Sequence, residues 1–250
     1  MRLTPPTTPP AGARPVDAAA APRRFATTRW SVVLAAGGAG SEARRALGEL
    51  CEGAWYPLYA FARRTGLNHA DAADAVQGFF ADLLDRGWVK DADAARGRFR
   101  TFLKVAFRRH LGRLREAKGA LKRGGGVNTL TLAPPDAAAR YAREPAHAET
   151  PEALYERRWA LELLARVLDR LEEEHAGDDR FPVLKPCLTG SAERSYAELG
   201  ATLNMTEAAV KTAVHRLRNR YRELLKAEVA GTVALPSDVA DELNALRASL

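Results

Sequence analysis

The stretch "SYAELGATLNMTEAAVKTAVHRLRNRYREL", residues 195–224, leaves the backbone few choices. Two helices that cross steeply need a small residue at their closest approach. They also need a turn residue that accepts the left-handed conformation, and apolar side chains at the inward positions. Counted from Tyr196 as the first position, Leu199 is apolar at the fourth and Gly200 is small at the fifth, where a larger side chain would clash. Leu203 packs inward. Asn204 falls at the ninth position, in the turn, where asparagine is the best non-glycine choice. Met205 anchors the turn, Thr206 is a good N-cap for the second helix, and Val210, Ala213 and Val214 face back into the pair. The requirements are met in order, which predicts a helix-turn-helix. The plainer alternative is an ordinary helical hairpin with a wet basic face.

The second helix carries Lys211, His215, Arg216, Arg218, Arg220, Arg222 and Lys226, opposed by Glu207 and Glu223. In a helix-turn-helix the N-terminal part of this helix enters the major groove. That puts Thr206, Glu207, Ala208, Lys211, Thr212 and His215 near base edges. Arg216, Arg218 and Arg220 lie further along and suit phosphates. Any one arginine is ordinarily a solvated charge; the cluster argues for DNA.

A second basic region spans Arg96–Arg123, with eleven Lys or Arg against one acid, Glu116. Lys and Arg neutralise phosphates, and aromatic rings can stack on unpaired bases. Phe99 and Phe102 sit at core spacing, however, and read first as packing residues. From Arg108 onward the charges wrap much of the helix, more than a one-faced solvated helix needs. A second nucleic-acid surface follows. Placement matters more than total charge here, since 38 Lys+Arg against 31 Asp+Glu leave a net of only +7.

The rest of the chain has helical spacing and no convincing strand pattern, so the expected fold class is all-α: two small helical domains joined by a flexible linker, the C-terminal one a helix-turn-helix. Residues 1–24 are rich in Pro and Ala and read as a disordered arm. Residues 25–123 form the first domain. There "TTRWSVVLAAGG" is a helix with Thr28 as N-cap and Gly37 as stop; a second helix spans Ser41–Arg64, kinked or split by Pro57; a third runs from about His69 to Arg86, ended by Gly87; a fourth starts near Phe99. Residues 124–150, with a Gly triplet and a Pro pair, lack helical periodicity and read as linker. Residues 151–230 form the second domain. It opens with Thr150 as N-cap and Pro151 at the first helical position, and Leu161, Leu164, Leu168 and Leu171 line one face. Residues 231–250 end in a helix over Asp238–Ser249, capped by Ser237, with Val239, Leu243, Leu246 and Leu250 in register.

Other chemistries find little support. Cys51 and Cys187 are the only cysteines; their wide spacing gives no zinc pattern and no disulfide framework, fits a reducing cytoplasm, and suggests packing roles. His69, His110, His147, His175 and His215 are scattered without metal spacing. No metal, cofactor or catalytic set is expected. Asp178–Asp179 reads as a solvated loop, and the glycines of "RGGGV" follow no strand. The N-terminus has no unbroken apolar segment of a secretory signal, and no run is long enough to span a membrane.

Three strings together are more specific than any one. "DAADAVQGFFADLL" (71–84), "RGRFRTFLKVAFRRHL" (96–111) and the 195–224 stretch resemble the two conserved regions of a bacterial RNA polymerase sigma factor, in the compact layout of the extracytoplasmic-function type. "TTRWSVVLAAG" and the C-terminal helix resemble a subgroup of such factors, and the likeness covers about Phe25 to the end. The resemblance implies two main partners, core RNA polymerase and promoter DNA. The helix matching Asp71–Leu84 would dock on the clamp helices of the largest subunit, with Asp71, Asp74 and Gln77 on its exposed side. The basic helix, with Arg98, Arg100, Lys104, Arg108, Arg109, Arg113 and Arg115, would melt the minus-ten element and hold the unpaired strand. The linker would thread through the polymerase toward the exit channel, and the last unit would read the minus-thirty-five element near the flap. The polymerase does the chemistry. Arg109 and Arg113 stand about where the family often has Asn and Asp, and Ala213 where it often has Arg. An anti-sigma protein is the usual further partner; control by the N-terminal arm, the C-terminal helix or a protein kinase acting on Ser or Thr is left open. The competing reading is a helix-turn-helix repressor or activator that binds duplex DNA without polymerase.

Overall fold

The computed structural model describes residues 29–35, 40–51, 53–85, 97–121, 136–144, 149–190 and 194–250. The arm at 1–24, Thr28, Gly37, Arg86, Gly87 and the Gly triplet of the 124–150 segment lie outside the described residues. Among the described residues the chain is almost entirely helical, and the one β feature is an isolated bridge between Arg98 and Val233. No helix among them is long and apolar enough to cross a membrane.

The N-terminal half holds α1 (Arg29–Ala35), α2 (Ser41–Cys51), α3 (Trp55–Arg64), α4 (His69–Asp85) and α5 (Phe99–Leu121). The helix expected over Ser41–Arg64 is indeed split, but the break lies before Pro57, at Gly53, whose φ of +74° suits glycine. Pro57 stands in the first turn of α3, where its missing N–H has no intrahelical partner to lose. Asn68 caps α4: its Oδ1 accepts from the Asp71 N–H at 2.9 Å, and its Nδ2 donates to the Asp71 carboxylate at 3.1 Å.

Gly78 lies exposed inside α4. A Cβ built there would meet only the His110 ring, 3.8 Å from Nε2, an ordinary contact. Steric need therefore does not explain the glycine. Gly78→Ala is expected to raise the unfolding free energy by about 0.5–1 kcal/mol, read from the shift in a urea melt.

The 124–150 segment contains a short helix, α6 (Ala137–Ala142), which the aperiodic sequence did not announce. Ala137 is fully buried, and the nearby Glu144 carboxylate, buried as well, accepts from the Tyr56 hydroxyl at 2.8 Å and from Arg157 at 3.1 Å. Helix α7 (Pro151–Glu174) begins as expected: the Thr150 hydroxyl accepts from the Ala153 N–H at 3.1 Å, and Pro151 takes the first helical position. Its buried stripe differs from the expected one. Leu154, Tyr155, Trp159, Ala160, Leu163, Val167 and Leu171 are buried, whereas Leu161, Leu164 and Leu168 are half-buried. The physical reason is that α7 lies between two neighbours, α3 on one side and α11 on the other, so its apolar face is wide. Helices on both sides of the 124–150 segment thereby share one contiguous core, running from Trp30 through Tyr59, Phe79 and Phe107 to Tyr155, Val214 and Leu246.

Then come α8 (Phe181–Leu184), α9 (Pro186–Thr189), α10 (Tyr196–Leu203), α11 (Glu207–Thr232) and α12 (Val239–Ala248). Ser237 does not cap α12, contrary to expectation. A 3-10 turn over Pro236–Asp238 leads directly into the helix, and the Ser237 hydroxyl donates to Asp238 instead. The turn places α12 against α7 and α11 and ties it to the start of α5, where the Ala234 N–H donates to the Gly97 carbonyl at 2.7 Å.

The cysteines are free thiols. Burial pushes the half-buried Cys51 thiol up to about 12 and raises that of buried Cys187. Both are protonated and poorly nucleophilic at neutral pH, as packing residues are.

Candidate nucleic-acid interface

The α10–α11 pair is built by local rules. Ser195 and Glu198 form a reciprocal cap at the start of α10: the Ser195 Oγ accepts from the Glu198 N–H at 3.3 Å, and the Glu198 carboxylate accepts from the Ser195 N–H at 2.7 Å. Those bonds hold the Glu198 carboxyl below its ordinary range. Asn204 ends α10 at φ 53°, the only non-glycine residue with positive φ among those described. The Met205 N–H then donates to the Gly200 carbonyl at 2.8 Å, closing the turn. A Cβ on Gly200 would fall 2.6 Å from the Met205 carbonyl oxygen, so glycine is required at this approach. The Thr206 hydroxyl caps α11, accepting from the Ala209 N–H at 3.2 Å. Val210, Val214 and Leu217 are buried beneath the pair, and Ala213 is half-buried.

The outward face of α11 is basic. Thr206, Glu207, Ala208, Lys211, Thr212, His215 and Arg216 are all exposed. Thr212 turns its hydroxyl to the Ala208 carbonyl at 2.9 Å, and the His215 Nε2 lies 3.0 Å from the Asn219 amide nitrogen. A shallow groove between α10 and α11 is lined by Tyr196, Lys211, Thr212, Val214, His215 and Arg218. Two residues expected on phosphates have work inside the protein. Arg218 donates to the Cys187 carbonyl at 2.8 Å and seats α11 on α9. Arg220 grips the Glu174 carboxylate with two bonds, 2.8 and 2.7 Å, and reaches Glu223 at 3.1 Å. Arg220, itself exposed, is thus an ion-pair partner of α7 in this structure. One turn further along α11, the helix brings this position round toward the end of its neighbour. A neighbouring groove brings Tyr196 and the exposed Arg194 beside Arg218; Arg194, a cation just ahead of a capping signal, is the readable clue.

The basic residues of α5 divide into two groups. Arg108, Arg109, Arg113 and Arg115 are exposed, Arg108 facing Glu152 only loosely at 3.9 Å. Arg98, Arg100 and Lys104 are instead engaged by carboxylates of the protein in this arrangement. Arg100 is 5 % exposed. It forks onto the Glu242 carboxylate of α12, 2.5 Å from Nε and 3.1 Å from the second nitrogen, and also pairs with Glu156 of α7. Arg98 reaches the same Glu242 at 3.2 Å, and Lys104 reaches Glu156 at 2.5 Å. The Tyr155 hydroxyl donates to the Arg100 carbonyl at 3.0 Å. Burial lowers the Lys104 ammonium from its ordinary value, with nearby Arg100 acting in the same direction and Glu152 opposing. The reason is partner geometry: α7 and α12 bring carboxylates to this end of α5, which no local pattern announces.

The aromatic residues of α5 are core. Phe99 and Phe107 are fully buried, and Phe102 packs against Trp30 with ring centroids 5.1 Å apart. His110 is 5 % exposed among Phe79, Phe107 and Asp82, and burial depresses its pKa.

Asp71, Asp74 and Gln77 were expected together on the open side of α4. All three are half-buried; Asp71 is bound into the Asn68 cap, and the Gln77 amide nitrogen is buried with no hydrogen-bond partner. Steps of three residues drift by about 60° each around a helix, so the three lie within one arc of about 120° along α4.

No cluster of three His, Cys, Asp or Glu side chains that could hold a metal occurs among the described residues. Compared with known proteins, the chain matches no family model, no curated protein and no solved structure.

Proposed function

We propose that the chain is a sigma factor of the extracytoplasmic-function kind, which binds core RNA polymerase and directs promoter recognition, melting and initiation. The observation that carries this reading is the α10–α11 pair. A glycine-only approach at Gly200, a left-handed Asn204 and a Thr206 cap precede an exposed run of Lys211, Thr212, His215 and Arg216. On this reading the pair acts as a helix-turn-helix whose exposed N-terminal end of α11 enters the major groove. Arg108, Arg109, Arg113 and Arg115 supply a second basic surface for the minus-ten element. Unstacking DNA costs a few kcal/mol per step, which phosphate contacts from such a surface can offset. On this reading the two halves act as separate domains on the polymerase, the helix-turn-helix unit at the minus-thirty-five element and the α4–α5 unit at the clamp and minus-ten element. The chain acts in the cytoplasm, with no catalytic residues of its own.

The test is co-purification with bacterial core polymerase, then transcription from a promoter library. Lys211→Ala with His215→Ala is expected to abolish most promoter-specific transcripts while leaving polymerase binding intact. Unchanged promoter choice in run-off assays would sink the assignment of α11.

One observation favours a second reading. The two halves share one core, which suits a transcription factor that binds duplex DNA by itself. Tight operator binding without polymerase, and no complex with core enzyme, would select it.

A further inference from the structure

We propose that α12 is an ionic latch: Glu242, with Glu156 of α7, occupies the phosphate-binding groups at the start of α5 and keeps that end of the helix from DNA. The inference rests on the reading above that α5 engages DNA.

Glu242 is 1 % exposed, yet it lies on the inward stripe of α12 with Val239, Leu243 and Leu246. A carboxylate in such a place is costly unless it is paired. Here it accepts from Arg100 through both oxygens and from Arg98 through one. Two oxygens on one guanidinium fork is the geometry by which arginine also takes a phosphate. Glu156 completes the substitution by holding Lys104 and the far side of Arg100. Three of the seven basic residues in and just before α5 expected to bind DNA are thus matched by two acids from elements that follow them in the chain.

The latch is lightly built. Leu246 is the one buried apolar side chain of α12, Val239 and Leu243 are half-buried, and the helix has ten residues. A helix that short has little stability of its own. Its docking therefore depends on the ion pairs, and a polyanion that offers phosphates to Arg98 and Arg100 competes directly with Glu242. The apolar α3–α7 contact need not break for this exchange.

The test uses the full chain and a fluorescent single-stranded DNA oligonucleotide. Glu242→Gln removes the charge and keeps the shape. It is expected to tighten binding about tenfold, because the competent state no longer competes with the latched one. Glu156→Gln, at a less buried site, is expected to act in the same direction and guards against a folding defect in the first variant. In the parent chain, amide exchange over 239–248 is expected to speed up when the oligonucleotide binds. Equal affinities for both variants and the parent, or slower exchange in α12 with DNA bound, would overturn the latch while leaving DNA binding in place. Failure of every variant to bind any DNA would overturn the nucleic-acid reading and the latch together.

Discussion

Arg100→Met is expected to lower the unfolding free energy by about 3–5 kcal/mol, the cost typical of removing one partner from a buried ion pair. The substitution keeps an unbranched apolar stem and removes the guanidinium. It leaves Glu242, 1 % exposed, with Arg98 alone, and Glu156 with Lys104 alone. The larger part of the loss reports an uncompensated charge. Adding Glu242→Met should restore most of it, since a buried pair replaced on both sides by apolar groups is often neutral. Urea melts of the parent, the two single variants and the double variant measure this. Losses that simply add would show that Arg100 and Glu242 are not coupled.

Gly200→Ala is expected to cost about 2–3 kcal/mol, toward the top of the range for overpacking. The new methyl group would lie 2.6 Å from a main-chain carbonyl oxygen, that of Met205. A side-chain end could swing away. This oxygen belongs to a turn closed by the Met205–Gly200 hydrogen bond and fixed between the Asn204 and Thr206 caps. Relief must come from parting α10 and α11, so duplex binding should fall together with thermal stability. An alanine variant that melts like the parent would show that the pair has room to spare.

Much of this was legible beforehand wherever the signal is local. The Thr150-Pro151 start of α7 and the glycine, asparagine and threonine of the turn after α10 each follow from a backbone requirement met within a few residues. Helix limits followed from apolar spacing for the same reason. What covers each face is a different matter. Arg100 and Glu242 are 142 residues apart in sequence, and nothing in the run of basic residues from Arg96 separates Arg100 from Arg108. The fainter clue was Glu242 itself, a carboxylate on an apolar stripe, which implies a buried cation somewhere. The α7 stripe was misjudged because four leucines at regular spacing suggested one partner, whereas the helix has two.

Helix α3 buries every residue from Tyr56 to Ala62. A helix apolar all round must be enclosed on all sides, and its largest cover, α7, is made last: the ribosome must travel from Arg64 to Glu174 before that cover exists. At ordinary elongation speeds this interval lasts roughly 5–20 s. For that time the nascent chain has only α4 and α5 to cover α3. The hazard for this protein is greatest during its own synthesis, and a chaperone acting on the ribosome-bound chain would find its binding site in Tyr56–Ala62.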